Sequence, residues 1–353
     1  MESEKEIGTE LFGCNSCGAD LTYKPGTVKL KCEYCGAEND IPQIDELVEE
    51  LDFENYLNTK VESEDSITEK FIKCNGCGAS SSFPKNVTST NCPYCSTPLV
   101  LDQAKDEKLI QPKSLLPFKI NQGESKSEVK KWISKLWFAP NDLQKAVLNF
   151  DQFKGIYIPY WTFDLDTYSD YTGQRGQYYY VKSGDKKVRK TRWYPASGRV
   201  TKFFDDILTP ASKSLPEKYI NKLEPWDLEN LVPYDKNYLS GFVTEKYQVD
   251  LKEGFEISKS IADDKIRDLV RRDIGGDTQR IYRINTTYND ISFKHLLLPV
   301  YVSSFKYKNK AYQFLVNGRT GEVQGERPYS WVKILLTILV GLIVVGAIYY
   351  WQY

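Results

Sequence analysis

The sequence predicts an α+β multidomain chain: two small four-cysteine modules, a larger domain built on antiparallel strands, and one C-terminal transmembrane helix. Three observations carry that reading. All eight cysteines fall in two identical frames in the first third of the chain, an aromatic-rich stretch with a period near two fills its middle, and an apolar run of helical length closes it. The 353 residues leave room for two metal-sized modules and one domain of ordinary size.

The first frame is Cys14, Cys17, Cys32 and Cys35; Cys74, Cys77, Cys92 and Cys95 repeat it at a constant offset of 60 positions. The repeat extends past the thiols. Asn15, Gly18, Ala19 and Tyr34 recur as Asn75, Gly78, Ala79 and Tyr94. Four thiolates converging from two knuckles close a tetrahedral shell around Zn2+, leaving no position for water or substrate. The expected cofactors are therefore two structural Zn2+ ions in two zinc ribbons, 1–42 and 71–110, with rubredoxin-like iron and disulfides as the alternatives. A glycine after a knuckle's second cysteine turns the backbone through positive φ and aims amides at sulfur. Gly18, Gly36 and Gly78 suit that role, and Ser96 departs from it.

Charge separates the two parts of the chain. Residues 1–110 hold 10 lysines, no arginine and 21 acidic residues, net −11, and the remainder is net +10. Phosphate-backbone binding draws its affinity from Lys and Arg, so this head would repel nucleic acid, and protein contact is the better-supported use of the ribbons. The acidic start, Met1-Glu2-Ser3-Glu4, precedes no apolar stretch, so no signal peptide is expected, and reduced thiolates agree with a cytosolic head.

Residues 43–70 read as an acidic linker. Ile44, Leu47, Val48, Leu51 and Leu57 form a helical stripe, and Lys60 to Thr68 is polar enough to stay flexible. In the domain 111–328, residues 115–120 read as a short strand. Ser125 and Glu128 form a capping box for a helix whose core face is Val129, Trp132, Ile133, Leu136 and Trp137, closed by Pro140. Gly155 to Phe204 then turns to strand periodicity, with Ser183-Gly184-Asp185 as a hairpin tip. A short helix is expected around 214–221 and a long one over Leu251–Ile274, ended by Gly275-Gly276. The long helix buries Phe255, Ile261, Ile266, Leu269 and Val270. Strands are expected over Arg280–Thr287 and His295–Tyr307, then 311–316 after a turn at 308–310, and last near Val323.

Residues 329–353 form the anchor. From Trp331 to Trp351 there are 21 residues and one charge, Lys333. At ~1.5 Å per residue the helix is about 31 Å long, which matches a hydrocarbon core of roughly 30 Å. Tyr329 and Trp331 at one end and Tyr349, Tyr350, Trp351 and Tyr353 at the other supply interfacial aromatics. Arg319, Arg327 and Lys333 lie on the N-terminal flank, predicting a single-pass, tail-anchored protein of the inner membrane with its N-terminus cytoplasmic. Gly341 and Gly346 are not spaced as a GxxxG pair.

Lys182, Lys186, Lys187, Arg189, Lys190 and Arg192 make the densest basic patch, beside Tyr178, Tyr179, Tyr180 and Trp193. Next to a bilayer such a patch can contact anionic lipid, at about 1 kcal/mol per basic residue near the surface. Its alternation with aromatics also suits single-stranded nucleic acid, and the bland reading is a solvated hairpin.

Catalysis is weighed by what the chain lacks. His295 is the single histidine, every cysteine is committed to a metal frame, and neither a G-x-S-x-G elbow nor a phosphate-binding loop is present. Asp205-Asp206 and Asp263-Asp264 read as solvated pairs. No enzymatic activity and no small-molecule substrate are expected.

Several segments together resemble one bacterial family: the double ribbons, Leu116 to Ile120, Trp137 to Pro140, Gly155 to Phe163, Tyr171 to Gly176, and Val316 to Ser330 followed by a span. Its members are labelled TFIIB-type zinc-ribbon proteins, or primosomal helicase-like. Within it, Tyr312 to Val323 is also similar to the hairpin that closes PepSY modules. Some relatives in that family appear beside PspA and SPFH-domain proteins in membrane-stress assemblies, so the resemblance implies a membrane scaffold and brings no catalytic residues. The expectation is a membrane adaptor that recruits protein partners. A membrane-tethered nucleic-acid binder is the rival reading, and a carboxylate-dependent hydrolase the third.

Overall fold

The computed structural model describes residues 12–43, 49–58, 66–83, 89–100, 104–143, 153–184, 186–307 and 310–352. Strands β1 (Leu21–Lys24), β2 (Lys29–Cys32) and β3 (Glu38–Asp40) form the antiparallel meander of the first ribbon. β4 (Leu51–Asp52) leads into the short helix Phe53–Asn58. The second ribbon and its flanks supply β5 (Ser66–Lys73), β6 (Ser80–Ser82), β7 (Ser89–Asn91), β8 (Pro98–Val100) and β9 (Lys105–Ile110). After β10 (Ser114–Leu115) and the helix Gln122–Ser134 come two long strands, β11 (Lys154–Ser183) and β12 (Lys186–Pro210). The chain continues through the short helix Glu217–Ile220, β13 (Val232–Pro233), β14 (Val243–Glu245) and the helix Leu251–Ile274. It ends with β15 (Thr278–Tyr307), β16 (Lys310–Asn317), β17 (Val323–Gly325) and the helix Trp331–Gln352. The fold is thus α+β, with two ribbon-like cysteine sites, one large mostly antiparallel sheet and one C-terminal apolar helix.

Three strands dominate. β11 pairs antiparallel with β12, from Tyr160 opposite Pro210 to Ser183 opposite Lys186, and on its other edge with β15, from Lys154 opposite Val302 to Gly176 opposite Thr278. β11 is 30 residues long, about 100 Å if fully extended at ~3.3 Å per residue. Its first half lies in the body, where β14, β6, β5 and β9 extend the sheet on one side and β10 and β13 on the other. Its second half leaves the body as an arm.

Alternation explains how the arm is covered. Leu165, Thr167, Ser169 and Tyr171 are buried and Tyr168, Asp170 and Thr172 exposed, so one face of the ribbon is closed by the helix Leu251–Ile274. That helix turns Leu251, Gly254, Ser258, Ala262, Ile266, Val270 and Ile274 inward, a one-sided stripe at helical spacing. Asp250 caps its start by accepting from the Glu253 amide, and Gly275, at φ 65°, ends it. The 24-residue helix is about 36 Å long at ~1.5 Å per residue, so the arm beyond Gly176 extends past both the helix and β15. Small residues on the stripe admit the largest core ring. A Cβ on Gly254 would lie 2.6 Å from Cδ1 of Trp161, which is fully buried.

Several expectations are corrected. The helix begins at Gln122, not Ser125: Asn121 accepts from the Glu124 amide while Glu124 reaches back to the Asn121 amide, and Ser125 is buried within the helix. Asn caps as well as Ser, and the earlier box puts Val129 and Ile133 against the core but leaves Trp137 72% exposed. The helix also stops at Ser134, before Pro140. Arg280–Thr287 and His295–Tyr307 are one strand. The Asn289-Asp290 step that separates them in sequence is a bulge, with Asp290 at φ 47° and the register to β11 shifting there. Asp205-Asp206 is a second bulge at the same level, opposite the Phe163 to Leu165 shift. Leu51 belongs to a strand paired with β15, and Phe53 packs into the body, so that part of the stretch read as linker is docked. Ser66 to Thr68, expected to be flexible, are strand residues. Ile44, Leu47 and Val48, the turn at 308–309 and Asp185 lie outside the described residues.

Candidate metal centres and the basic arm

Each knuckle is a tight turn closed by backbone bonds: the Gly18 amide to the Cys14 carbonyl, Gly36 to Cys32, Gly78 to Cys74 and Ser96 to Cys92, at 2.8–2.9 Å. The residue after the second cysteine stands in the left-handed region in all four, with φ of 74°, 76° and 79° at Gly18, Gly36 and Gly78 and 61° at Ser96. Ser96 therefore keeps the conformation its side chain disfavours.

These turns bring each set of four sulfurs within 4.8 Å of one another. Cys14 to Cys35, Cys17 to Cys32, Cys74 to Cys95 and Cys77 to Cys92 are each 3.6 Å apart. A tetrahedral ion with Zn–S bonds of ~2.3 Å holds its sulfurs about 3.8 Å apart, so both sets fit zinc. Amides point at the sulfurs, Ser16 to Cys14 Sγ at 3.4 Å and Gly76 to Cys74 Sγ at 3.3 Å. The Ser16 amide draws the Cys14 thiol down to about 7. Cys14, Cys32, Cys74 and Cys92 are buried and their partners exposed, so each ion would lie between the core and solvent.

Neither ribbon stands apart from the body. In the first, the Tyr23 hydroxyl donates to the Phe118 carbonyl at 3.1 Å, the Gly26 amide to the same carbonyl at 2.9 Å, and the Tyr23 amide to the Ser240 carbonyl. Leu21, Tyr23, Leu30 and Ile41 share one apolar cluster with Phe118, Tyr157 and Tyr301. The second ribbon joins the main sheet through β6, which pairs with β14. The acidic head is held by apolar contact and backbone bonds, with ion pairs such as Lys294 to Glu50 added to them.

Between the second ribbon and the body sits a buried carboxylate that the sequence reading did not single out. Glu245 accepts from the Tyr94 hydroxyl at 2.7 Å, Ser212 at 2.9 Å, Gln248 at 3.0 Å and Ser214. Burial pushes its pKa up to about 7, against the lowering effect of those donors, Ser214 foremost. Tyr94 lies inside the knuckle Cys92–Cys95, so the carboxylate ties a metal site to the sheet. Glu245 ends a three-residue strand between Thr244 and Lys246, so no local pattern marked it in the sequence.

A second polar cluster sits at the bulges. The Lys294 ammonium, 10% exposed, lies 2.9 Å from both Glu50 and Asp206. The Asp206 amide donates to Asp164 at 2.7 Å. Asp206 is thus a bulge residue with a buried partner, not a solvated strand position. Asp263 accepts from Tyr288 at 2.8 Å on the surface of the long helix. His295 is buried, with Nδ1 2.9 Å from the Ile110 carbonyl and its ring 4.6 Å from Trp161. Burial lowers its pKa to about 4, so the imidazole is neutral and acts as packing.

Lys182, Lys186, Lys187, Arg189, Lys190 and Arg192 are all exposed around the arm's turn at Gly184. Lys182 faces Lys187 across the pair, and Tyr180 faces Arg189. Arginines lie over tyrosines, Arg189 on Tyr178 at 4.3 Å and Arg192 on Tyr179 at 5.2 Å, and Arg280 covers Trp193 at 4.0 Å. The tip lies far from the start of the helix Trp331–Gln352. Ser330 and Lys333 touch the loop after the helix Gln122–Ser134, whose Trp132 packs on Phe314, in register with Ser303 at the other end of the long strands.

The helix Trp331–Gln352 is long and apolar enough to cross a membrane, and none of it is buried in the protein. No family model matches the chain, and no solved structure matches it. It is similar to "Uncharacterized protein YdjG" of Bacillus subtilis (strain 168), 27% identical over 329 residues that cover 92% of this chain and 91% of that protein.

Proposed function

We propose that the chain is a membrane-bound adaptor on the cytoplasmic side of the inner membrane. The helix Trp331–Gln352 anchors it, the two ribbons hold zinc and stiffen the body, and the arm recruits protein partners. Arg327 and Lys333 beside the start of the helix orient the body toward the cytoplasm. The observation that carries the reading is the arm beyond Gly176. It outruns its supporting helix and β15, yet it spends its surface on six cationic side chains and stacked aromatics. A surface built that way serves contact with an acidic partner. The resemblance to ribbon proteins found beside PspA and SPFH-domain proteins makes those the first partners to test.

The test is affinity capture from membranes, comparing the full chain with a variant in which residues 177–192 are replaced by an Asn-Gly turn. The variant should keep its zinc and its membrane retention and lose specific partners. An unchanged set of partners would overturn the role given to the arm. The stacked Arg and Tyr pairs favour one second reading, single-stranded nucleic acid. Salt-sensitive retention of oligonucleotides by the full chain, lost in the same variant, would select it.

A further inference from the structure

We infer that the loop 135–139 is an interfacial foot, seated in the phospholipid headgroup layer beside the start of the membrane helix. This rests on the helix being a span. The loop is bound to the helix's first turn by two hydrogen bonds: the Ser330 amide donates to the Phe138 carbonyl at 2.7 Å, and the Lys333 ammonium to the Ala139 carbonyl at 2.8 Å. Lys333 Nζ also lies 6.0 Å from the centre of the Trp137 ring. Ala139 is buried, so the loop has a fixed root, while Trp137 is 72% and Phe138 37% exposed.

Depth follows from that connection. Residues 331 to 333 climb only about 3 Å at ~1.5 Å per residue, so a loop tied to Ser330 and Lys333 shares the level of the helix entry. The headgroup layer is roughly 5–8 Å thick on each side of the hydrocarbon core. Trp137 and Phe138 therefore join Tyr329 and Trp331, 54% and 79% exposed, in one aromatic cluster at a single level. Tryptophan and tyrosine partition to that layer, where the ring is apolar and its polar atom stays wet. Lys130 and Lys135 are exposed on the adjoining helix end, which suits a neighbouring layer of anionic headgroups. The loop carbonyl accepts from one of the three N–H groups of Lys333, which leaves the others for the wet headgroup layer. One helix alone leaves the body free to spin and tilt about its axis; a second contact beside it removes that freedom.

The experiment uses the full chain in phosphatidylethanolamine and phosphatidylglycerol vesicles with acyl chains brominated near the headgroup. The fluorescence of Trp137 is read as the difference between the parent and Trp137→Phe, and that of Trp331 as the difference between the parent and Trp331→Phe. Zinc content and circular dichroism check that each variant folds. The Trp137 emission should be quenched by the brominated lipid as strongly as that of Trp331 and be shielded from iodide. Emission quenched by iodide and indifferent to bromine overturns the foot. Release of the parent by alkaline carbonate overturns the span as well, so the two failures are distinguishable.

Discussion

Replacing Glu245 by glutamine should make the protein more stable at pH 8 and change the pH dependence of its unfolding. Glu245 is 2% exposed, and its pKa stands at about 7 against an ordinary value of 4.5. The folded protein therefore holds this proton more tightly than the unfolded chain does. The sign follows: the stability it contributes is whole below about pH 4.5 and is lost as pH rises to about 7. At ~1.4 kcal/mol per pH unit the loss amounts to about 3 kcal/mol. Glutamine keeps an acceptor for Ser212, Ser214 and Gln248, and its amide can donate to the Tyr94 hydroxyl. The variant avoids the ionisation cost but forfeits charge-assisted bonds, so a gain of about 1–3 kcal/mol is expected at pH 8. At pH 5 the difference should be near zero. The assay is thermal and urea unfolding of detergent-solubilised full-length protein across pH 5–8, parent against variant at each pH, so that thiolate protonation, common to both, cancels. A parent-to-variant difference that stays flat across this range would refute the reasoning.

Three further outcomes are expected. Elemental analysis should find two zinc ions per chain and one in Cys14→Ala or Cys74→Ala. Because structural zinc supplies about 10–16 kcal/mol in small ribbons, the altered ribbon should then lose protection from proteolysis. Ser96→Gly should slow zinc loss to a chelator: a left-handed residue with a Cβ costs roughly 1–2 kcal/mol, offset by ~0.5–1 kcal/mol of glycine chain entropy. Gly254→Ala should lower the melting temperature, because overpacking against Trp161 costs about 1–3 kcal/mol while the gain in helix propensity returns only ~1 kcal/mol.

What could be read ahead of the structure was whatever short spacing encodes. Eight thiols at fixed intervals define both metal centres, and an uninterrupted apolar run defines the final helix, since neither depends on distant residues. Leu251 to Ile274 was legible for the same reason, bounded by Asp250 and Gly275. The long strands were not. Asn289-Asp290 looks like a turn because its residues tolerate positive φ, and only the partner strand decides that the chain bulges there and continues. Ser125 misled because Ser and Glu three apart satisfy the capping rule anywhere, and burial of its hydroxyl within the helix is a tertiary fact. The Tyr94 to Glu245 bond joins residues 151 apart, which no local pattern announces.

The ladders on both sides of β11 lose register at one level, Phe163 to Asp166, with Asp206 and Asp290 in left-handed conformations flanking it. Beyond that level β12 and β15 are bonded to β11 as far as Gly176, backed by the long helix. The arm is thus hinged to the body like a crowbar at its fulcrum, with a second, one-sided shift of the β15 ladder farther out at Thr172 to Gly173. Lys294, clamped between Glu50 and Asp206, is the bolt through it, and fastens Glu50 of the head to the sheet at that level.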